Sequence, residues 1–347
     1  MTMTSSSASS IPSAQLAIQI HQTGGTENIK LNEIPVAAPG NDQILVKVEW
    51  SGINFIDTYF RSGLYPVNLP FTLGNEPAGE ILALGPNLRD QSIFKIGDKV
   101  VTYFRGGGLQ QYALFDINRT FKLPQGVSTQ VAAGLFLQGL TAITFIDEAY
   151  KVKKGDYVLV HSAAGGIGLL LCQLLSNIGA VVIGTTSTKE KADLALLNGA
   201  NHVVLCGNKS YGDLVEEIKK LTPNNDGTDV IFDGVGKDTW ESHFEILKRK
   251  GTIVTFGNAS GPPPNFSPFK LMTKNLKLCR PMLDNYIYTP AEFQKYCEQL
   301  FGCYQKNIIK LHSHKPEGYP FNALGVQEAH RDITSRQTTG KLVVKVA

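Results

Sequence analysis

The chain of 347 residues lacks a strong excess of charge. Its 33 Lys and Arg against 30 Asp and Glu leave a net charge of +3, too small to demand a nucleic acid or a membrane as partner. Hydrophobic residues make up 42% and charged residues 18%, which fits a folded globular protein. No run approaches the ~20 consecutive apolar residues that span a bilayer. Cysteine is scarce and one-sided: Cys172, Cys206, Cys279, Cys297 and Cys303 all fall from about the midpoint onward, with no C-x-x-C pair. That excludes a disulfide framework and a cysteine zinc cluster, and leaves reduced thiols as the expectation. Neither Cys nor His occurs between His21 and His161. A catalytic zinc needs about three Cys, His or carboxylate ligands, and this half cannot supply the soft ones. His312 and His314 have a metal-like spacing but read as surface residues. Residues 1–13 are rich in Ser and Thr, without charge or aromatics, and read as a disordered tail. They lack the basic residues of a transit peptide and the apolar core of a secretory signal, so the cytoplasm is expected.

What is present divides the chain in two. Residues 43–50 alternate apolar and polar as a half-buried strand does. Residues 78–84 follow, closed by the turn residues Gly85-Pro86-Asn87. Residues 100–104 and 110–115 are further strands, separated by Gly106-Gly107-Gly108. Short strands at this spacing predict a small barrel or sandwich. After Pro124 the texture changes, beginning with an apolar helical pattern over 131–150. Strands are then expected at 157–161, 181–185, 203–205, 230–233, 251–256 and 276–278. Helices are expected at 166–178, 189–197, 213–221 and 238–247. Such alternation predicts an α/β fold, a doubly wound parallel sheet with helices on both faces. A helix at 291–304 and a strand at 342–346 close the chain. The simplest architecture is a Rossmann domain at 139–281 inserted in a β-rich domain formed by 14–138 and 282–347. A cofactor is then expected in the cleft between the domains.

The stretch Tyr157-Val158-Leu159-Val160-His161-Ser162-Ala163-Ala164-Gly165-Gly166-Ile167-Gly168 carries the most chemical information. An apolar strand runs into a glycine-rich turn and then into an apolar helix, the context of a dinucleotide-binding loop. Gly165 and Gly166 let the backbone approach a pyrophosphate, and Gly168 lets helix and strand pack closely. Ala163 fills the first position of G-x-G-x-x-G. NAD-selective loops place a carboxylate about 20 residues further on. Here the corresponding strand ends in Gly184-Thr185-Thr186-Ser187-Thr188, followed by Lys189, Glu190 and Lys191. Hydroxyls and lysines suit a 2′-phosphate, so NADPH is the expected cofactor.

Longer motifs carry a resemblance. Gly52-Ile53-Asn54-Phe55-Ile56-Asp57-Thr58-Tyr59, Arg61-Ser62-Gly63-Leu64-Tyr65-Pro66, Gly74-Asn75-Glu76-Pro77-Ala78-Gly79, Phe232-Asp233-Gly234-Val235-Gly236, Phe256-Gly257-Asn258-Ala259-Ser260-Gly261 and Ser335-Arg336-Gln337-Thr338-Thr339-Gly340-Lys341 occur in that order. With these, the chain from about Leu16 to its end resembles the zeta-crystallin-type quinone oxidoreductases of the medium-chain dehydrogenase/reductase superfamily. The resemblance implies a GroES-like catalytic domain around the Rossmann domain, and reduction of ortho-quinones by NADPH. Zinc-dependent relatives carry Gly-His-Glu where this chain has Gly74-Asn75-Glu76, and a cysteine within the segment 54–59, so a zinc-independent branch is implied. A quinone needs little activation: its potential favours reduction, and donors can hold the oxygen anion formed.

The resemblance also implies the site. Asn54, Asp57, Tyr59 and Tyr65 would line the substrate: the tyrosines as hydroxyls and walls, Asn54 on a carbonyl, Asp57 orienting Tyr59 or bonding the ribose. Phe55 and Tyr59 would meet the nicotinamide end, with Gly165, Gly166 and Ile167 on the pyrophosphate. Ser187 and Lys191 would take the 2′-phosphate. Cys206 stands where many relatives place a tyrosine beside the adenine, and 207–212 reads a few residues longer than in bacterial relatives. Gly234, Phe256, Gly257, Asn258, Ala259, Leu278, Cys279 and Arg280 would line the groove, and Arg336 would close over the phosphates. No metal site is implied. Two other functions fit the scaffold: an enone or 2-alkenal reductase, and a binder of AU-rich RNA competed by the cofactor. A homodimer is expected, with 251–256 and 276–278 as pairing edges.

Overall fold

The computed structural model describes residues 11–88, 93–207 and 210–347. Expectations for residues 1–10 and 208–209 lie outside the described residues. The chain opens with β1 (Ala14–Ile20), β2 (Lys30–Pro35) and β3 (Gln43–Ile53), then helix α1 (Phe55–Ser62). Next come β4 (Phe71–Thr72), β5 (Glu76–Leu84), β6 (Lys99–Thr102), β7 (Tyr112–Asp116) and β8 (Thr120–Lys122). Helix α2 (Thr129–Thr144) continues into a π-helical turn, Phe145–Ala149. An alternating series follows: β9 (Tyr157–Val160), α3 (Gly166–Ile178), β10 (Val181–Thr186), α4 (Lys189–Leu197), β11 (His202–Leu205) and α5 (Tyr211–Lys220). It continues with β12 (Thr228–Asp233), α6 (Trp240–Ile246), β13 (Leu247–Thr255), α7 (Phe269–Met272) and β14 (Lys277–Cys279). The last elements are α8 (Leu283–Tyr286), α9 (Pro290–Gln305), β15 (Tyr319–Pro320), α10 (Ala323–Thr334) and β16 (Leu342–Lys345).

Contacts divide the chain into two compact units. One holds the chain up to Ala133, Glu317–Arg331 and Val343–Ala347; the other holds Gly134–Pro316 and Asp332–Leu342. The sequence-based boundaries differ, because they return everything after 281 to the first unit. Instead α9 packs on α2, with Phe136 against Phe293 and Phe301 at 5.9 and 6.2 Å between ring centroids.

In the first unit, a seven-stranded sheet runs β15-β16-β3-β5-β6-β8, with β7 also paired to β3. A smaller sheet runs β2-β1-β4. The long pairing of β3 with β5 is antiparallel, register Val48↔Gly79 and Gly52↔Glu76. A Cβ at Gly79 would lie 1.9 Å from the Lys47 carbonyl oxygen, so only glycine fits this crossing of strands. The register delivers Glu76 to the end of β3, where α1 begins.

In the second unit, the sheet order is β11-β10-β9-β12-β13-β14, every pairing parallel. Strands of such a sheet are covered on both faces and read as unbroken apolar runs. Val158, Leu159, Val160, Val230, Ile231 and Phe232 are all 0% exposed. Strand order reverses beside β9: the chain runs outward through β10 and β11 on one side, then returns to β12 on the other. In open α/β sheets that reversal is where ligands bind, at the carboxyl ends of the strands. The edges are β11 and β14, and β13 is interior, which corrects the expectation that both β13 and β14 could pair across a twofold.

Among the described residues, one helical stretch, Thr129–Ala149, is long and apolar enough to cross a membrane, but 83% of its most apolar window is buried inside the protein. The sequence shows it as the apolar helical pattern over 131–150. Gly134, Gly139 and the threonines break up its apolar look, while tertiary packing buries the helix.

Candidate functional site

In the first unit the predicted residues gather around the start of α1. Asn54 caps the helix: its backbone N–H donates to Asp57 Oδ2 at 2.7 Å, and its carbonyl accepts from the Asp57 N–H at 3.0 Å. An Asn cap with an acidic residue three positions on is a helix-start signal. Gly63, at φ 84°, ends the helix in the left-handed region. Asn54 Nδ2 donates to Glu76 Oε2 at 2.9 Å, and Asn75 Nδ2 donates to Asp57 Oδ1 at 2.6 Å. Asn75 Oδ1 then accepts from the Gly106 N–H at 3.0 Å. Asp57, Asn75 and Glu76 are 0% exposed and Asn54 5%. Two buried carboxylates are thus each tied to an asparagine amide, as buried polar groups require. The Asp57 oxygens hold the Asn54 N–H and the Asn75 amide.

Tyr59 and Tyr65 are brought together instead. Their rings meet edge to face at 5.3 Å, and the Tyr65 N–H donates to the Tyr59 carbonyl at 3.2 Å. Tyr65 is 36% exposed while Phe55 and Tyr59 are half-buried. The two tyrosines form an accessible aromatic wall above a buried polar frame.

In the second unit, β9 ends at the glycine-rich turn and α3 starts on Gly165. The turn needs its small residues. A Cβ at Gly168 would sit 2.3 Å from the Ser162 carbonyl oxygen, and one at Gly166 2.0 Å from Gln138 Oε1. Ser162 itself adopts φ 53°. The first-turn amides of α3 have no partners within their own helix, which makes the N-terminus an anion site. The segment after α10 closes on this turn: the Gly340 N–H donates to the Ala164 carbonyl at 2.9 Å, and Gly340 bridges Gly165.

Beyond the tip of β10 lie the expected 2′-phosphate residues. Thr188 caps α4 by accepting from the Lys191 N–H. Lys191 Nζ donates to the Arg336 carbonyl at 2.5 Å. Burial lowers the Lys191 pKa, and the nearby Cys206 thiol opposes that shift. Lys189 instead pairs with Asp193 on its own helix. Ser187 and Cys206 are exposed, and Cys206 Sγ donates to the Thr186 carbonyl at 3.1 Å. Arg336 pairs with Asp238 at 3.0 Å. So Lys191, Cys206 and Arg336 are brought together, and Asp238 joins them.

The remaining groove residues form one packed patch. Gly234 and Gly257 touch: a Cβ on Gly257 would lie 2.2 Å from the Gly234 carbonyl oxygen. The Ala259 N–H donates to that same carbonyl at 3.2 Å. Phe256 stacks near Phe145 of the π-helical turn at 5.4 Å. Arg280 donates to Thr255 Oγ1 and Asn258 Oδ1, each at 3.0 Å, and so braces the 255–258 loop from the end of β14. Leu278 and Cys279 are half-buried on β14 beside it.

Sequence reasoning missed Asn75, Glu76, Gln138 and Asp238 as site residues. The Gly74-Asn75-Glu76 motif was in view, but only the folded register pairs it with Asn54 and Asp57. His312 and His314 are half-buried rather than on the surface. The Thr339 N–H approaches His314 Nδ1 at 3.5 Å, and Thr339 Oγ1 lies 3.4 Å from His312 Nε2. The tail that closes on the glycine turn covers them.

Comparison with known proteins agrees with both units. Residues 40–125 match the family profile "Alcohol dehydrogenase GroES-like domain", and residues 166–301 match "Zinc-binding dehydrogenase". The "Probable quinone oxidoreductase" of Schizosaccharomyces pombe is 39% identical over 333 residues, covering 95% of this chain and 97% of that one. A "2-haloacrylate reductase" of Burkholderia is 32% identical, covering 95% and 98%. The crystal structure of Escherichia coli quinone oxidoreductase complexed with NADPH superposes with a TM-score of 0.90 at 35% identity, covering 95% of this chain and 99% of that one. On fold, motifs and relatives together, the chain belongs to the quinone oxidoreductase family of the medium-chain dehydrogenase/reductase superfamily.

Proposed function

We propose that this protein reduces quinones, ortho-quinones foremost, with NADPH as the reductant and without a catalytic metal. The observation that carries the proposal is the polar frame of the first unit. A metal-dependent relative needs nitrogen or sulfur ligands there, whereas Asp57 and Glu76 are engaged by the Asn75 and Asn54 amides. The quinone oxidoreductases of S. pombe and E. coli support the reaction class.

The residues fit NADPH on grounds of their own. Gly166 and Gly168 let Gln138 and the Ser162 and Ala163 backbone pack tightly against the turn, where a Cβ would clash, and the α3 N-terminus offers amides suited to a pyrophosphate. Lys191 and Arg336 supply cationic groups for the 2′-phosphate, and no carboxylate occupies the tip of β10. When bound, NADPH supplies the reducing hydride. The chain's own residues then bind and orient. Tyr59 and Tyr65 offer aromatic walls and hydroxyls that can hold a developing oxygen anion. Asn54 and Asp57, themselves buried, fix the start of α1 and so the placement of Tyr59. The proton comes from solvent.

Five free cysteines support a reducing compartment, the cytoplasm. The β14 edge, flanked by exposed Phe269 and Met272, supports a homodimer through strand pairing. The similarity to 2-haloacrylate reductase supports a second reading, reduction of conjugated carbon–carbon double bonds.

The test follows NADPH oxidation with phenanthrenequinone, a 2-alkenal and 2-haloacrylate in parallel, with and without a chelator, and repeats each with NADH. Fast turnover of the quinone with NADPH, unaffected by chelator, is expected. Turnover confined to the alkenal or haloacrylate would replace the quinone reading with the second one. Lys191→Ala should raise the KM for NADPH at least tenfold and leave that for NADH little changed; equal effects would remove Lys191 from the 2′-phosphate site.

A further inference from the structure

Beneath the glycine-rich turn, the core of the second unit holds a polar cluster that the proposed reaction does not use. His161 follows the last residue of β9, Asp233 ends β12, and His243 lies on α6. Their side chains are 4%, 0% and 0% exposed. The imidazole rings are 5.3 Å apart between centroids and tilted by 37°. One ligating atom from each of the three residues lies within 4.8 Å of the other two.

His161 and Asp233 are each fixed by hydrogen bonds to their surroundings, and His243 by none. His161 Nδ1 is 2.9 Å from Thr185 Oγ1, which leaves Nε2 facing inward with no hydrogen-bond partner. Asp233 Oδ1 accepts from the Val235 N–H and from Thr239 Oγ1, and Oδ2 accepts from the Gly236 N–H. Neither nitrogen of His243 has a hydrogen-bond partner, and its Nε2 is 3.8 Å from Asp233 Oδ2, too long for a hydrogen bond. No Lys or Arg pairs with Asp233 among the described residues. Buried imidazole nitrogens are normally satisfied; here three of them, His161 Nε2 and both nitrogens of His243, have no hydrogen-bond partner beside a buried carboxylate.

We propose that His161, Asp233 and His243 form a binding site for one late first-row divalent cation, zinc foremost. Two imidazoles and a carboxylate are a borderline-soft donor set of the kind zinc takes, with a fourth position open. The bonds from Thr185, Val235 and Thr239 are the outer-shell contacts that orient such ligands. In a closed tetrahedral set at zinc–nitrogen distances, ligand atoms lie about 3.3 Å apart. The triad is therefore slightly open. His243, which has no hydrogen bond to lose, is the side chain that moves in. The site is distinct from the first-unit frame of Asn54, Asp57, Asn75 and Glu76, and it does not depend on the proposed quinone chemistry.

The test titrates Co²⁺ into the full-length protein after exhaustive chelation. One equivalent should produce the visible ligand-field band of a low-symmetry, four-coordinate site, and Zn²⁺ should abolish it and raise the melting temperature. His243→Gln should lose the band, while a His312→Gln, His314→Gln double variant should keep it. The ring ¹⁵N resonances of two histidines in the wild-type protein should shift with one equivalent of Zn²⁺, a readout that needs no variant. The proposal is overturned if no band appears, if the band survives in His243→Gln, or if it vanishes with His312 and His314. It is also overturned if those resonances stay in place, which would leave a buried water as the occupant.

Discussion

At the scale of single residues, two of the three glycines of the α3 turn, Gly165 and Gly168, make different demands. Gly165 has φ −77°, and a Cβ there would find its nearest neighbour, the Ser162 carbonyl, at 3.2 Å. Gly168 would place a Cβ 2.3 Å from that same carbonyl and 2.8 Å from the Ala163 backbone, atoms that cannot swing aside. Gly168→Ala should therefore destabilise by about 1–3 kcal/mol and push α3 off the turn. The Kd for NADPH should rise more than tenfold in a fluorescence titration, whereas Gly165→Ala should stay near wild type. Matching losses at both positions would mean that close packing is not what the turn requires. Asp57 invites a second substitution. Asp57→Ala leaves the Asn54 N–H and the Asn75 amide without their buried acceptor, at about 1–3 kcal/mol each. Urea unfolding should show that loss, with Asp57→Asn retaining part of it. A wild-type unfolding midpoint for Asp57→Ala would argue that the frame is not structural.

At the scale of elements, legibility followed how locally each one is determined. Helices α3 and α4 fall at 166–178 and 189–197, as expected, because glycine turns and caps bound them and a sheet buries one face. The helix expected at 291–304 is α9, set by the box of Thr289 and Glu292 with Pro290 at its first position. Thr289→Ala should cost about 1 kcal/mol in chemical denaturation; no change would mean that packing of Phe293 and Phe301 alone holds the helix start. Helix α1 was not legible as a helix. Phe55, Ile56, Thr58 and Tyr59 are weak helix formers, and α1 depends on the Asn54–Asp57 cap and burial of Phe60. β1 and β2 were missed: they pair with each other, Leu16↔Glu33, but the connection over 21–29 is too long for a tight hairpin, although Gly24-Gly25 marks a turn within it. The candidate site divides in the same way. The glycine turn is one contiguous stretch and could be read. The Asn54–Glu76 and Asn75–Asp57 bonds join residues 22 and 18 positions apart, and only the β3–β5 register brings them together.

At the scale of the whole molecule, the response to acid is shared by the buried histidines His161, His243 and His330, all with lowered pKa values, of which His330 lies outside every candidate site. His330, on α10, is 0% exposed. Burial first, and the Arg61 guanidinium second, push its pKa down to about 3 from an ordinary 6.5. In the unfolded chain the ordinary value applies. Above that pH both states carry a neutral imidazole, and His330 contributes no pH dependence. As pH falls below about 6.5 the unfolded chain takes up a proton that the folded protein refuses. Stability then declines by about 1.4 kcal/mol per pH unit until the folded pKa is reached. Against a total of about 5–15 kcal/mol, two pH units consume a substantial part. Carboxylates add an acid slope of their own, so the decisive quantity is a difference between proteins. Urea midpoints measured from neutral pH down to about pH 4.5 should fall less steeply in His330→Gln than in wild type, by one proton's worth of slope. The variant should be weaker near neutral pH, where the fitted imidazole packing is lost, and the two curves should converge in acid. Parallel curves would mean that the buried imidazole accepts its proton in the folded state, and that α10 opens before the rest of the molecule does.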